Sequence, residues 1–326
     1  MAINNARSNQ VSMKRPLTDK QLIAHLEQRL TFNDSENLYA PIFFKNNIYY
    51  RFSIYPKLLP SRSDGLRHSF TDSINLYKFD EFLRDELSIF LDYIEQRLKS
   101  TLIHYFCNNY SNPSHYISQC YIDSNLYHPS KYRYAISCIE KCIKYSETPA
   151  MTHYKNNPNQ GDTYIPIWIV LDELTFGYFN TLVDALKTSH INNWVRKYLA
   201  PINSLGHNRE VIISWVNNLR LLRNAIAHHG RLYGKNFKVQ PQILNRDNNL
   251  FTPGNKPSEI NRIYGSMYVI KKLLVQDTNN DIKRKWNRFL EDLKQKIDSN
   301  QNILECDTRL GFPDEWHKNL HVLTHS

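Results

Sequence analysis

Hydrophobic positions recur along this chain in steps of three and four, and alternating patterns are nearly absent, which predicts helices and almost no strand. The longest periodic run is Asp80 to Asn109, where Phe82, Leu83, Leu87, Phe90, Leu91, Ile94, Leu98, Leu102 and Phe106 mark one face. It predicts the central helix of the N-terminal half. Before it, residues 1 to 14 are polar and aperiodic and read as a flexible lead. Thr18 with Gln21 forms a capping-box pattern ahead of Leu22, Ile23, Leu26 and Leu30, predicting a short helix over 19–31. The aromatic-rich stretch Leu38 to Leu59 predicts one or two short buried helices closed by Pro56 and Pro60, and 61–73 reads as a polar loop.

Beyond residue 109 the proline- and Asn-rich stretch 110–130 predicts a connector, Lys131 to Tyr145 an amphipathic helix, and Pro149 to Asp162 a loop. Pro166 suits the first turn of a helix that continues from Ile167 to Leu186. Trp194 to Leu199 is short, and Asn208 to His229 is a strong helix stopped by Gly230. Residues 234–257 form a long excursion with Pro241, Pro253 and Pro257; helices over 261–275 and 281–300 follow, then a loose tail. No internal repeat is visible. The expectation is an all-α protein: an N-terminal helical region over 15–130, a second over 131–300, and a tail over 301–326.

Composition narrows the class. The 326 residues hold 41 Lys and Arg against 31 Asp and Glu, a net charge of +10, which favours a nucleic-acid partner without bearing on the fold. Only 9 glycines occur, which argues against turn-dense β folds and phosphate-cradling glycine loops. The cysteines Cys107, Cys120, Cys138, Cys142 and Cys306 are odd in number and lack a C-x-x-C pair, so they read as reduced thiols of a cytoplasmic protein. No apolar run reaches the roughly eighteen residues of a membrane span, and the N-terminus carries no apolar signal core.

The segment from Asn217 to Gly230 carries the most chemistry. On its helix Ile212, Trp215, Val216, Leu219, Leu222 and Ile226 form a stripe for the core. Asn224 and His228, four residues and about 40° apart around the axis, fall on the opposite side, with Arg223 between the two faces. From spacing alone the favoured reading is a C-terminal cap, with cations near the last carbonyls and Gly230 at the stop.

Arg223-Asn224-x-x-x-His228 resembles the Arg-x4-His motif of the HEPN superfamily of helical ribonucleases and nucleic-acid-binding proteins. Leu222-Arg-Asn-Ala-Ile-Ala-His-His-Gly-Arg-Leu232 more closely resembles the signature of the AbiD/AbiF abortive-infection family of bacterial phage defence. Tyr49-Tyr-Arg-Phe-Ser-Ile-Tyr55 is similar to that family's N-terminal aromatic motif, with Ile54 where a glycine is usual. Pro166 to Gly177 is similar to its middle motif, and Asp80 to Tyr105, with Ile94-Glu95 before Arg97, to its long helix. The resemblance implies a HEPN-like multi-helix bundle with an additional N-terminal helical half. It also implies metal-independent RNA cleavage through a 2′,3′-cyclic phosphate, without a cofactor: Arg223 on the phosphate, Asn224 orienting, His228 moving the proton. Glu95 and Arg97 would be a supporting ion pair and His229 a capping or packing residue. Two such motifs facing each other would make a homodimer. The target would be RNA rather than a specific DNA, and a structured noncoding RNA would restrain or guide the protein; a non-cleaving ribonucleoprotein and a protein-interaction scaffold are the alternative readings.

Other groups are weaker candidates. Lys271, Lys272, Lys283, Arg284, Lys285 and Arg288, interleaved with Tyr264, Tyr268 and Trp286, are a candidate RNA contact, against the ordinary reading of a solvated charged face. Cys138 and Cys142, one helical turn apart, read as core thiols before zinc ligands, and Asp172-Glu173 as a hydrogen-bonding pair before a metal site.

Overall fold

Thr18 opens the first helix as its spacing predicts: its hydroxyl accepts from Gln21 N while the Gln21 side chain accepts from Thr18 N. The computed structural model describes residues 16–156, 165–199 and 208–324, so the predicted flexible lead lies outside the described residues. The chain divides into two units, Met1–Tyr77 and Lys78–Ser326. Helices and turns make up both, and among the described residues β structure is confined to two isolated bridges, Thr31 with Ser69 and Tyr127 with Leu186. The protein is all-α, as the periodicity predicts.

In the first unit, α1 (Asp19–Leu26) is followed by α2 (Asp34–Asn46), α3 (Tyr49–Phe52) and a 3-10 turn at Tyr55–Lys57. A second capping box starts α2, with Asn33 and Glu36 exchanging side-chain to backbone bonds. Pro41 sits inside α2, where its missing N–H leaves Asn37 O without a helical donor. The aromatic motif builds the core of this unit: Phe52 and Tyr55 are buried, and Phe52 meets Phe43 edge to face at 4.8 Å and Phe70 at 5.6 Å.

The long helix α4 (Phe70–Asn109) begins ten residues earlier than its apolar period suggests. Ser69 and Asp72 account for the difference: Asp72 Oδ2 accepts from Ser69 N and Ser69 Oγ from Asp72 N, both at 3.0 Å. Within the second unit the helix buries Leu83, Leu87, Phe90, Leu91, Ile94, Leu98, Leu102 and Phe106, the predicted face apart from half-exposed Phe82.

α5 (Pro129–Tyr145) and α6 (Pro149–Asn156) follow. The second replaces the first part of the predicted loop, and the remainder of that loop, 157–162, lies outside the described residues. Glu173 explains α6: its carboxylate accepts from Ser146 Oγ at 2.7 Å and Thr148 Oγ1 at 2.5 Å, fixing the turn that starts the helix. The predicted continuous helix 167–186 is broken into α7 (Ile167–Glu173) and α8 (Phe176–Ala185). Leu174 is extended, and Thr175 Oγ1 accepts from Tyr178 N, so a capping hydroxyl outcompetes helix continuation. α9 (Thr188–Tyr198) is longer than its apolar residues suggest.

α10 (Asn208–Ala227) carries the conspicuous motif. Ile212, Trp215, Val216, Leu219 and Leu222 are buried as predicted, against α8, α9 and α12 (Ile263–Val275). The excursion between them holds a 3-10 turn and α11 (Lys256–Ile260). α13 (Asn280–Asp298) and α14 (Trp316–Leu320) close the chain. The segment read as a loose tail is fastened: Trp286 Nε1 donates to Leu320 O at 2.9 Å, and Asn287 bonds Val322 through both N–H and C=O. Leu310 and Val322 are buried. Elements of five residues are too short for an amphipathic period to reveal.

Candidate active site at the end of the motif helix

The last turn of α10 and the three residues beyond it are tied by backbone bonds. His228 N donates to Asn224 O at 3.1 Å, His229 N to Ile226 O at 2.8 Å and Gly230 N to Ala225 O at 2.6 Å. The last two bonds make a Schellman turn. Its left-handed residue is His229, with φ of 50°, so Gly230 is not the conformational stop that the sequence predicts. Gly230 answers a different demand: a Cβ there would lie 3.0 Å from Ala225 O.

This turn displays the three motif side chains outward. His228 and His229 are exposed, Asn224 is half-buried, and the Arg223 side chain is 41% exposed. Among the described residues, no hydrogen bond engages the Asn224 amide or the His228 imidazole. Four positions apart on one face, an amide and an imidazole stand beside a guanidinium at a helix C-terminus, where the dipole favours positive charge.

Two anchors from α4 hold the frame. Glu95, buried, receives Arg223 Nε at 3.8 Å on Oε2 and Lys99 Nζ at 3.1 Å on Oε1, and Lys99 Nζ also donates to Asp172 O at 3.0 Å. Asp80, fully buried, accepts Leu232 N at 2.9 Å and Tyr233 N at 2.5 Å on Oδ1 and pairs with Arg84. The chain leaving the histidine turn is thereby bolted to the long helix. Tyr233, buried beneath it, accepts Glu305 N on its hydroxyl at 2.7 Å, and burial pushes its phenol well up. Neither Asp80 nor Lys99 gives any signal in the sequence, because each is one charged residue in a charge-dotted helix.

The other predicted site residues fall elsewhere. Arg97 does not pair with Glu95; two positions on, it points about 200° away around α4. It meets Asp277 Oδ2 at 3.0 Å and donates to Leu273 O and Gln276 O, capping the end of α12. Tyr93 donates to the same carboxylate at 2.8 Å, and burial with that bond pushes its phenol up to about 12. The basic cluster is dispersed: Lys283 is buried, Lys272 is spent on Asp247 at 2.7 Å, and Lys271 donates to Asn319 O. Its interleaved aromatics Tyr264, Tyr268 and Trp286 are buried in the core and offer no stacking face. Arg284, Lys285 and Arg288 are exposed, the first paired with Asp281 at 2.6 Å.

Cys138 and Cys142 are buried thiols, pushed up by desolvation. Among the described residues no group of three or more His, Cys, Asp and Glu is arranged to hold a metal ion, and no helix is long and apolar enough to cross a membrane.

Residues 43–234 match the family model described as Abi-like protein. The chain belongs to that family. No curated protein and no solved structure matches it. The matched span of this Abi-like protein takes in Glu95, Arg97, Arg223, Asn224, His228 and His229 together with both α4 anchors, and it stops one residue past Tyr233, whose N–H Asp80 accepts. Lys271, Lys272, Lys283, Arg284, Lys285 and Arg288 lie outside it.

Proposed function

We propose that this Abi-like protein is a bacterial abortive-infection effector that cleaves RNA at the end of α10, in the manner of HEPN-type endoribonucleases. The observation that carries the reading is the outward grouping of Arg223, Asn224 and His228, braced from behind by buried Glu95 and Lys99.

RNA supplies its own nucleophile. Attack by a 2′-oxygen on the adjacent phosphorus forms the 2′,3′-cyclic phosphate and breaks the bond to the 5′-oxygen; the 2′-proton leaves and the 5′-oxygen gains one. The His228 imidazole is the kind of group that can take or give that proton. The Arg223 guanidinium, presenting a fork of donors, matches the equatorial phosphate oxygens as charge builds on them. Asn224 orients the phosphate or the imidazole. One histidine performs one transfer, so a second copy of the motif across a homodimer would perform the other.

The test is growth arrest on overexpression, with His228→Ala and Arg223→Ala each relieving it while melting as wild type does. Product analysis should find 2′,3′-cyclic phosphate ends formed in the presence of EDTA. Full toxicity from a folded double variant would remove the site from the mechanism. The net charge of +10 also favours a second reading, a protein that holds a structured RNA without cutting it. Copurifying RNA of one defined sequence, unshortened by wild-type protein and with no cyclic ends, would favour that one.

A further inference from the structure

The first unit carries a pocket of about 400 Å³ whose lining includes Arg29, Arg62 and Arg67 and no Asp or Glu. Its wall is rigid: the loop from Pro60 to His68 is closed on itself by His68 Nε2 with Pro60 O at 2.9 Å and joined to the turn after α1 by Arg67, which donates to Glu27 O. The Arg29 guanidinium has no hydrogen-bonded partner among the described residues. Arg62 shows the kind of group its fork takes. Its Nε and terminal nitrogen grip the Asp64 carboxylate side-on, at 3.0 and 2.5 Å, a geometry that serves a phosphate equally well. Asp64, and Asp72 held behind His68 at 3.3 Å, are the carboxylates beside these three guanidinium groups.

We propose that this pocket binds a phosphate monoester, the terminal phosphate of a nucleotide, with Arg67 as its anchored ligand, Arg29 as an unpaired one and Arg62 released from Asp64 to complete the set. Three guanidinium forks match the three free oxygens of a monoester, whereas a backbone diester presents two. The volume exceeds what a bare ion needs and falls in the range of small-molecule sites, and Leu59, Pro56 and Leu66 supply apolar wall beside the cations. Asp64 is then an internal competitor, exchanged for the ligand. The site is independent of the cleavage reading, since it uses none of the α10 residues.

The experiment uses the full chain carrying His228→Ala, so that any cleavage is silent, and measures binding by calorimetry at fixed ionic strength. Probes are adenosine monophosphate, a 5′-phosphorylated hexaribonucleotide, and the same oligonucleotide with a 5′-hydroxyl. Adenosine monophosphate should bind, and the 5′-phosphate should tighten oligonucleotide binding at least about tenfold, the value of one charge-assisted hydrogen bond. Equal affinity for adenosine monophosphate and the phosphorylated oligonucleotide would identify a free nucleotide as the ligand; tighter oligonucleotide binding would identify an RNA end. Arg29→Gln, which breaks no intramolecular bond, should weaken both by about tenfold, and Asp64→Asn should tighten both by up to about fivefold, the value of an exposed ion pair. Equal affinity for the two oligonucleotides, no binding of adenosine monophosphate, or indifference to Arg29→Gln in a protein that melts normally would each overturn the proposal.

Discussion

Glu95 Oε2 lies 3.8 Å from Arg223 Nε while the other oxygen of the same carboxylate holds Lys99 at 3.1 Å. One buried anion thus serves two cations, a half-exposed one facing outward and a buried one facing the core. The asymmetry matters for function. Lys99 fixes the carboxylate, and the carboxylate limits where the Arg223 side chain can go without consuming its fork, since the contact is to Nε and is long. On the proposed reading, this leaves the terminal nitrogens of Arg223 for a phosphate.

Glu95→Ala should cost about 3 kcal/mol of stability, because it leaves Lys99 buried without a counter-charge. The double variant Glu95→Ala, Lys99→Met should recover most of that loss, since a pair replaced by apolar groups costs far less than a pair broken. Urea denaturation of the two variants measures both. Equal losses in the single and double variants would show that Glu95 acts through Arg223 or through packing instead of through Lys99.

His229→Gly should raise stability by about 1 kcal/mol, since a left-handed φ of 50° strains any residue with a Cβ and glycine adopts it freely. Its neighbour should respond oppositely: Gly230→Ala brings a Cβ to 3.0 Å from Ala225 O and should destabilise by a similar amount, about 1 kcal/mol. Thermal melting of the pair decides which residue carries the turn. If His229→Gly is neutral or destabilising, the imidazole makes contacts that offset the strain.

The helices were legible where their apolar period is long, as in α4 and α10, and where caps announce themselves, as at Thr18. They were illegible where a local cap interrupts the period or a side chain distant in sequence decides. Thr175 breaks the run 167–186 by capping locally, and Glu173 starts α6 from across a loop. The final segment holds only because Trp286 and Asn287 receive it. At the site, the period of α10 places Arg223, Asn224 and His228 on the outward side, and the family resemblance points to Glu95 as their support, while Lys99 and Asp80, which complete the brace, carry no sequence signal. The pairing of Glu95 with Arg97 that the resemblance implies fails because a helix turns residues two positions apart to opposite sides. The six basic residues are near in sequence but not on one face. On α13 Lys283 falls beside Ile282 and Trp286 on the buried stripe, whereas Lys285 and Arg288 fall outside it.

Acidification should weaken the fold beginning near pH 6.5. Burial lowers the pKa of His190, whose Nδ1 lies 3.0 Å from Tyr105 Oη, and burial with the nearby Arg209 lowers that of His128. A lowered folded-state pKa means that the unfolded chain takes up protons first as pH falls below 6.5, so the stability present above that pH is lost through the interval down to the folded-state value. Melting temperatures between pH 7.5 and 5 should fall, and His190→Gln should flatten the decline. An unchanged slope in that variant would assign the effect to other groups.

If the protein binds RNA as proposed, the salt dependence of that binding should follow Arg284, Lys285 and Arg288 and ignore Lys283. Each phosphate neutralised on a single strand adds a slope near −0.7 to the logarithm of affinity against the logarithm of salt, so losing all three exposed cations would flatten it by up to roughly 2. Lys283 is buried on the inner face of α13 and cannot reach a phosphate without leaving the core. Lys283→Gln should therefore lower the melting temperature while leaving the slope as it was. Arg284 gives up part of its charge to Asp281 in the free protein, which makes Lys285→Gln with Arg288→Gln the sharper pair to compare. Binding isotherms at four salt concentrations for wild type, this pair and Lys283→Gln separate the possibilities. A slope unaltered in the Lys285 and Arg288 variant would show this face to be solvated charge and would place the phosphate contacts on other cations.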